Sequence, residues 1–188
     1  LCRRGKILGA QLHEARLALG LSRLAFPNAD SFAEAVFATA RQLLSGVGHS
    51  GVARLTVTRG SGKRGYTPDF DAKPRSILVA QNDRVNNKPG VRCGRAETRW
   101  ADQPQLAGLK LLARTEQVLA AGEAATAGWD DAIMLDARGR VISSSRGNIF
   151  IITAGKILTP DLARCGIAGT RRQLLIDRIL PGLGSEAE

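Results

Sequence analysis

A lysine within a run of apolar residues is the side chain of this sequence best suited to covalent chemistry. Lys110 lies in the segment 106–112, whose other residues are all leucine, alanine or glycine. Such surroundings favour a neutral amine over an ammonium ion. A neutral amine is a nucleophile, which is what Schiff-base chemistry requires. The alternative is a lysine at the start of a helix whose ammonium group extends into solvent.

A second candidate is the segment 166–172, which contains two glycines, a threonine hydroxyl and two adjacent arginines. It precedes and enters a predicted helix, and the N-terminus of a helix attracts anions such as phosphate. The segment therefore predicts a phosphate site, and the alternative is a simply capped helix with exposed arginines. The serine-rich segment 143–148 is either another anion-binding turn or a polar loop.

Residues 60–65 match the pattern G-x-G-x-x-G after a predicted strand. A dinucleotide-binding site requires a helix to begin directly afterwards, but the segment 66–70 contains a proline and cannot begin that helix. A P-loop is excluded because Lys63 is followed by Arg64 instead of serine or threonine. We therefore expect a turn between two strands that carries Arg59 and Arg64.

Composition limits the class of protein. The 188 residues are 44% hydrophobic and 23% charged, which is typical of a globular chain. We find neither a run of about 18 apolar residues nor a signal peptide, so we expect no membrane partner and a cytoplasmic location. The net charge of +10 favours anionic ligands, but scattered basic residues and only 4% aromatic residues argue against a nucleic-acid partner.

The cysteines and histidines predict no metal centre. Cys2, Cys93 and Cys165 are widely spaced and odd in number, which argues against a disulfide framework and agrees with a reducing compartment. His13 and His49 have no further histidine or cysteine at metal-ligand spacing.

Hydrophobic periodicity predicts a mixed α+β chain. Helices are expected over 11–25, from a cap at Asp30-Ser31 to 46, over 109–121 and over 170–180. Strands are expected over 52–58, 76–80, 91–98 and 132–135, followed by a hairpin of 148–153 with 156–158. The polar segment 81–89 reads as a linker, which divides the chain into a small domain, 1–85, and a larger one, 86–188.

Several motifs, taken in order, resemble those of the fold-type IV pyridoxal-phosphate enzymes. They are H-x-x-R-L at 13–17, the lysine at 110, N-[LIV]-F at 148–150, the L-x-T-P-like turn at 158–160 and G-[IT]-x-R at 169–172. The resemblance covers nearly the whole chain. It implies two α/β subdomains with the cofactor site between them, pyridoxal 5'-phosphate as cofactor, and a homodimer.

Within that group, two longer segments resemble the aminodeoxychorismate lyases. Residues 59–66 are similar to R-G-x-G-x-R-G-Y, and residues 104–119 to P-x-L-A-G-[IL]-K-x-L-x-R-x-E-Q-V-L. The resemblance implies that Lys110 is the Schiff-base lysine and the catalytic base. The other implied cofactor-binding residues are Arg16, Ser143, Ser145, Asn148, Gly169, Thr170 and Arg171, and the implied substrate-binding residues are Arg59, Arg64 and Tyr66.

The sequence departs from the family pattern in three ways. Ser143 replaces the glutamate that normally pairs with the pyridine nitrogen, and a serine can hydrogen-bond a neutral nitrogen but cannot keep it protonated. Ala113 replaces an asparagine. We also expect roughly the first 30 to 40 and last 50 residues of a typical member, including the general acid, to lie outside this sequence.

The implied activity is conversion of 4-amino-4-deoxychorismate to 4-aminobenzoate and pyruvate, a step of folate biosynthesis. Its substrate is a small anion with two carboxylates, which suits a basic site. Two alternatives stay open: a branched-chain or D-amino acid aminotransferase of the same fold, and a homologue without turnover.

Overall fold

The computed structural model describes residues 1–82 and 90–187. The chain divides into two compact units, Leu1–Asn87 and Lys88–Glu188. The predicted domain boundary after residue 85, and most of the predicted linker, lie outside the described residues. The two-domain boundary therefore stays a prediction.

The described part of the first unit, residues 1–82, contains two helices and two small antiparallel sheets. Strand β1 pairs with β2, and β3 pairs with β4 along its whole length. The elements are β1 (Cys2–Arg3), β2 (Lys6–Ile7), α1 (Ala10–Arg23), α2 (Ala29–Gly46), β3 (Val52–Thr58) and β4 (Arg75–Gln81). The predicted helices and strands of this unit are confirmed, whereas the strands β1 and β2 were not predicted.

Helix α2 forms because its apolar residues recur every three or four positions. Its buried residues are Ala33, Val36, Phe37, Ala40 and Leu44. The predicted cap at Asp30-Ser31 is wrong, because the helix already begins at Ala29 and its N-cap is Asn28. Ser31 lies inside the first turn, and its hydroxyl donates to the Asn28 carbonyl at 3.2 Å.

The second unit contains a three-stranded sheet in the order β5–β6–β7, where β5 and β6 are parallel and β6 and β7 are antiparallel. A hairpin of β8 and β9 and a helical segment follow. The elements are β5 (Cys93–Trp100), α3 (Thr115–Thr126), β6 (Asp131–Asp136), β7 (Val141–Ser144), β8 (Ile151–Thr153), β9 (Lys156–Leu158) and α4 (Thr170–Leu174). After α4 the chain continues as a π-helical segment, Leu175–Ile179, and a final turn, Leu180–Gly182. The α+β prediction is confirmed.

The core of the second unit lies between the sheet and α3. Its buried side chains come from both, among them Ala96, Trp100, Ala120 and Met134. Strand β5 is irregular between Arg95 and Arg99.

At this irregularity, the side chain of Glu123 on α3 accepts hydrogen bonds from backbone N–H groups of β5. It accepts the N–H groups of Glu97 at 2.6 Å and Thr98 at 3.0 Å. Hydrogen bonding, above all from the Thr98 hydroxyl, holds the pKa of Glu123 below its usual value although burial opposes this shift. Helix α3 is thereby tied to the sheet by polar bonds as well as by packing.

Two predicted elements of this unit are displaced. The strand expected over 91–98 begins and ends two residues later, and the helix expected over 109–121 begins only at Thr115. Residues 109–114 have helix-like apolar spacing, but the preceding Gly108 forms a parallel bridge with Ile167 that fixes the start of this segment. This tertiary contact outweighs local propensity.

Candidate functional site

The segment that carries Lys110 is held against the segment 166–168. The Gly108 N–H donates to the Gly166 carbonyl and the Ala168 N–H donates to the Gly108 carbonyl, each at 3.0 Å. Gly108 has a φ of 81°, a conformation that favours glycine. Lys110 therefore lies two residues beyond a fixed point of the backbone.

An ion pair joins the residues that precede these two segments. Nε and Nη2 of Arg164 both lie 2.8 Å from the same oxygen, Oδ2 of Asp102. The Gln103 N–H also donates to the Arg164 carbonyl at 3.0 Å. The path into the lysine segment is thus anchored at several points within this unit.

The surroundings of Lys110 differ from the sequence-based expectation. Leu109 is buried, with 2% of its surface exposed, but Lys110 is exposed within its unit and Leu112 is 68% exposed. The apolar neighbours in sequence therefore do not enclose the amine. Lys110 also does not lie at a helix start, because α3 begins five residues later.

Asn148 fixes the turn that was predicted to bind phosphate. Its Nδ2 donates to the Ile167 carbonyl at 2.9 Å. A Cβ atom at Gly169 would lie 2.2 Å from Asn148 Oδ1, so only glycine allows this approach. The Asn148 side chain therefore helps to hold the backbone of this turn in place.

The residues that follow this turn have different surroundings. Arg172 is half-buried and donates to Thr159 Oγ1 at 3.2 Å and to the Pro160 carbonyl at 3.1 Å, and burial lowers its pKa. Arg171 is exposed, and its guanidinium has no hydrogen bond or ion pair to the described residues. Thr170 is the first residue of α4. Arg172 thus joins two motifs of the chain, while Arg171 can meet an external anion.

Ser143 lies on β7 and is buried, with 4% of its surface exposed. Its Oγ accepts the indole N–H of Trp100, on β5, at 3.0 Å. The serine hydrogen has no acceptor among the described residues, so it can be donated to an acceptor outside them. Trp100 was missed by the sequence analysis. The only signal was that a buried tryptophan normally has a partner for its N–H.

Ser145, predicted to bind cofactor, is engaged within the chain. Its hydroxyl donates to Asp131 Oδ1 at 2.5 Å, and its N–H donates to the Ala132 carbonyl at 2.9 Å. Burial raises the pKa of Asp131, but the hydroxyls of Ser145 and Ser144 outweigh it and lower the pKa overall.

The loop after Ser145 closes on itself. Ser144 Oγ accepts the N–H groups of Gly147 at 2.9 Å and Arg146 at 3.3 Å. These amides are therefore not available to an anion. Of the two interpretations of segment 143–148, the structure favours the polar loop.

Arg16 of the first unit is half-buried on α1. Its Nη2 lies 3.4 Å from His13 Nδ1, and in the described parts of the chain it has no carboxylate partner. Burial lowers its pKa. A desolvated cation without an anion in its own unit is typical of a residue that binds an anionic ligand.

The predicted substrate residues lie in the segment after β3. Arg59 donates to the Ala25 carbonyl at 3.1 Å and to the Leu24 carbonyl, and its guanidinium lies 4.3 Å from the centre of the Phe26 ring. Arg59 therefore binds the backbone carbonyls that follow the end of α1. Arg64 and Tyr66 are exposed.

Comparison with known proteins decides the family. The family model described as amino-transferase class IV matches residues 1–184. The chain belongs to the class IV aminotransferase family. This confirms the predicted resemblance and fold class.

Relatives within the class IV family include lyases and aminotransferases. The aminodeoxychorismate lyase of Vibrio harveyi is 30% identical over 93% of this chain and 65% of its own length. A putative branched-chain-amino-acid aminotransferase of Methanocaldococcus jannaschii is 32% identical over 65% of this chain and 43% of its own. The chain thus spans just under two thirds of the Vibrio protein.

Solved class IV structures have the same fold. The crystal structure of 4-amino-4-deoxychorismate lyase from Pseudomonas aeruginosa has a TM-score of 0.86 and 38% identity, covering 99% of this chain and 68% of that one. An aminotransferase from Brucella abortus, solved bound to the cofactor PLP, has a TM-score of 0.78 and 17% identity, covering 95% of this chain and 65% of that one. Pyridoxal phosphate as cofactor of the family is thereby confirmed.

In residues 1–82 and 90–187, no helix has the length and apolar character to cross a membrane. No three histidine, cysteine, aspartate or glutamate side chains in those ranges are grouped as metal ligands would be.

Proposed function

We propose that the protein carrying this chain is a pyridoxal-phosphate-dependent lyase that converts 4-amino-4-deoxychorismate to 4-aminobenzoate and pyruvate. The observation that carries the proposal is the pairing of Gly108 with Ile167, which anchors the Lys110 segment to the predicted phosphate turn. The similarity to the Vibrio and Pseudomonas lyases along nearly the whole chain supports it. Folate biosynthesis, a homodimer and a cytoplasmic location belong to the same proposal.

Three features of the chain fit this cofactor. Arg16 is a half-buried cation without a carboxylate partner in the described residues, as a phosphate ligand would be. Asn148 Oδ1 can approach the backbone of the predicted phosphate turn because Gly169 has no side chain. The hydroxyl hydrogen of Ser143 is free to meet an unprotonated ring nitrogen, which suits a pyridine. We therefore propose that Thr170 and Arg171 hold the phosphate, with Asn148 and Gly169 shaping its turn. We also propose Arg16 as a phosphate ligand, as the family resemblance implies.

When bound, the cofactor supplies electron withdrawal from the carbon that carries the substrate's amine. Lys110 would bind the cofactor through Nζ and, once released by the incoming amine, take the proton from the adjacent ring carbon at that same atom. Loss of pyruvate then leaves an aromatic ring. Ser143 would keep the pyridine nitrogen hydrogen-bonded and unprotonated. Arg64 and Tyr66 stay predictions for substrate binding, as does Arg59 despite its contacts with α1.

Borohydride reduction followed by peptide mapping tests this proposal. The label is expected on Lys110, Lys110→Ala should be colourless with added cofactor, and Lys63→Ala, in a turn of the first unit, serves as the matched control. A label on a different lysine would contradict the assignment. Production of 4-aminobenzoate from 4-amino-4-deoxychorismate then tests the reaction itself.

A second candidate function is amino acid transamination, which the branched-chain aminotransferase relatives favour. Single-turnover absorbance distinguishes the two functions. An aminotransferase would convert its bound cofactor to the pyridoxamine form with a simple amino acid, whereas a lyase would form 4-aminobenzoate and leave the cofactor unchanged.

A further inference from the structure

The side chain of Arg114 folds back onto the segment that carries Lys110. Its Nε donates to the Leu111 carbonyl at 2.8 Å, and its Nη2 donates to the Leu109 carbonyl at 3.2 Å. These are the two residues on either side of Lys110. One half-buried guanidinium therefore holds both flanking residues of the proposed catalytic lysine.

The guanidinium group is suited to this contact. It is planar and presents its N–H donors in a fixed fork, which can bond two carbonyls at once with little loss of side-chain freedom. The segment needs such a partner because it lies between the bridge at Gly108 and the start of α3 at Thr115. The bridge fixes the backbone before Lys110, and Arg114 fixes it on both sides.

Stabilisation of α3 does not explain Arg114. This residue is the N-cap of α3, with a φ of −131°, and its side chain makes no capping bond to the helix. Serine, threonine, asparagine or aspartate are the effective residues at an N-cap. A positive charge at a helix N-terminus also opposes the helix dipole. The structure instead places the Arg114 side chain against the carbonyls of the segment before the helix.

We propose that Arg114 is a positioning residue that acts through the backbone carbonyls of Leu109 and Leu111 to fix the direction of Lys110. This inference rests on the proposed function, because it gives Lys110 a catalytic role. Its effect belongs to the chemical step: a misplaced amine still binds the cofactor and substrate but transfers the proton poorly.

The test uses the full-length protein with Arg114→Gln, Arg114→Lys and the control Arg138→Gln, an exposed arginine in the turn between β6 and β7. We expect Arg114→Gln to lower kcat about 10- to 100-fold, the range for small misplacements of a catalytic group, with KM within about twofold. Arg114→Lys should not restore kcat, because a single ammonium lacks the two-pronged geometry. Added guanidinium should partly restore activity to Arg114→Ala.

Hydrogen exchange of the cofactor-free protein gives a readout independent of activity. The amide of Leu109, which donates to the Leu106 carbonyl at 3.1 Å, should exchange faster in Arg114→Gln, while those of β5 and β6 stay as in the parent. If Arg114→Gln fails to fold, the same comparison is made with Arg114→Lys.

Failure of the positioning role and failure of the proposed function give different results. Unchanged kcat, or faster exchange throughout the second unit, would overturn the positioning role. Absence of a borohydride label on Lys110 in the parent protein would overturn the proposed function, whereas the exchange measurement would still show whether Arg114 holds the segment.

Discussion

Replacement of Gly169 by alanine tests the turn at residues 166–169 directly. The backbone of Gly169 has φ −69° and ψ 138°, which alanine adopts without strain. The only penalty is therefore the added methyl group, which would lie 2.2 Å from Asn148 Oδ1. That distance is far shorter than any real contact of this kind, so the Asn148 side chain must move.

The loss of stability is set by the hydrogen bond that Asn148 loses. Movement of its amide breaks the 2.9 Å bond from Nδ2 to the Ile167 carbonyl and leaves that half-buried carbonyl without its partner. Loss of the bond together with incomplete satisfaction of the carbonyl amounts to about 2 kcal/mol. This corresponds to roughly a 30-fold change in the unfolding equilibrium constant.

Urea denaturation of the cofactor-free protein measures this cost. Gly147→Ala is the matched control, because it lies in the same unit and its added methyl would meet Ser144 Oγ at an ordinary 3.7 Å. The double variant Asn148→Ala with Gly169→Ala removes the clash, so it should lose about 2 kcal/mol, no more than Asn148→Ala alone, because both lack the same bond to the Ile167 carbonyl. The reasoning is refuted if Gly169→Ala is no less stable than Gly147→Ala, or if the two changes are additive.

Three further predictions follow from the site. Arg16→Gln should weaken binding of pyridoxal phosphate roughly tenfold or more, measured by absorbance titration, since the phosphate loses a cationic partner; unchanged affinity would contradict the role of Arg16. Ser143→Glu should raise transamination of a simple amino acid more than it raises 4-aminobenzoate formation, because a carboxylate can keep the pyridine nitrogen protonated; an opposite change in the two rates would contradict the placement of Ser143. Burial raises the pKa of Cys165 to about 11, so at pH 8 iodoacetamide should label the exposed Cys93 and leave Cys165 unmodified until the protein unfolds, as mass spectrometry would show.

The parts of the fold that could be predicted are those set by local pattern. The spacing of apolar residues in α2 and the alternation in β3 follow directly from burial on one face, and both elements have the predicted extent to within two residues. The turn at Ala154-Gly155 is also local, since both residues have positive φ.

The parts that could not be predicted depend on contacts distant in sequence. Residues 109–114 have the spacing of a helix, but the contact of Gly108 with Ile167 decides their path. The bond between Trp100 and Ser143 joins two strands and leaves no periodic signal. Arg59 has the residue type expected of an anion ligand, yet carbonyls at the end of α1 satisfy it.

The bridge between Gly108 and Ile167 also orders events during synthesis of the protein. A ribosome completes the lysine segment first, and at 5–20 residues per second it needs about 3–12 s more to add the roughly sixty residues that reach Ile167. Until then the lysine segment lacks its bridge to Ile167. Capture of the cofactor must therefore be a late step, completed after the C-terminal part of this unit has emerged and folded back onto the lysine segment.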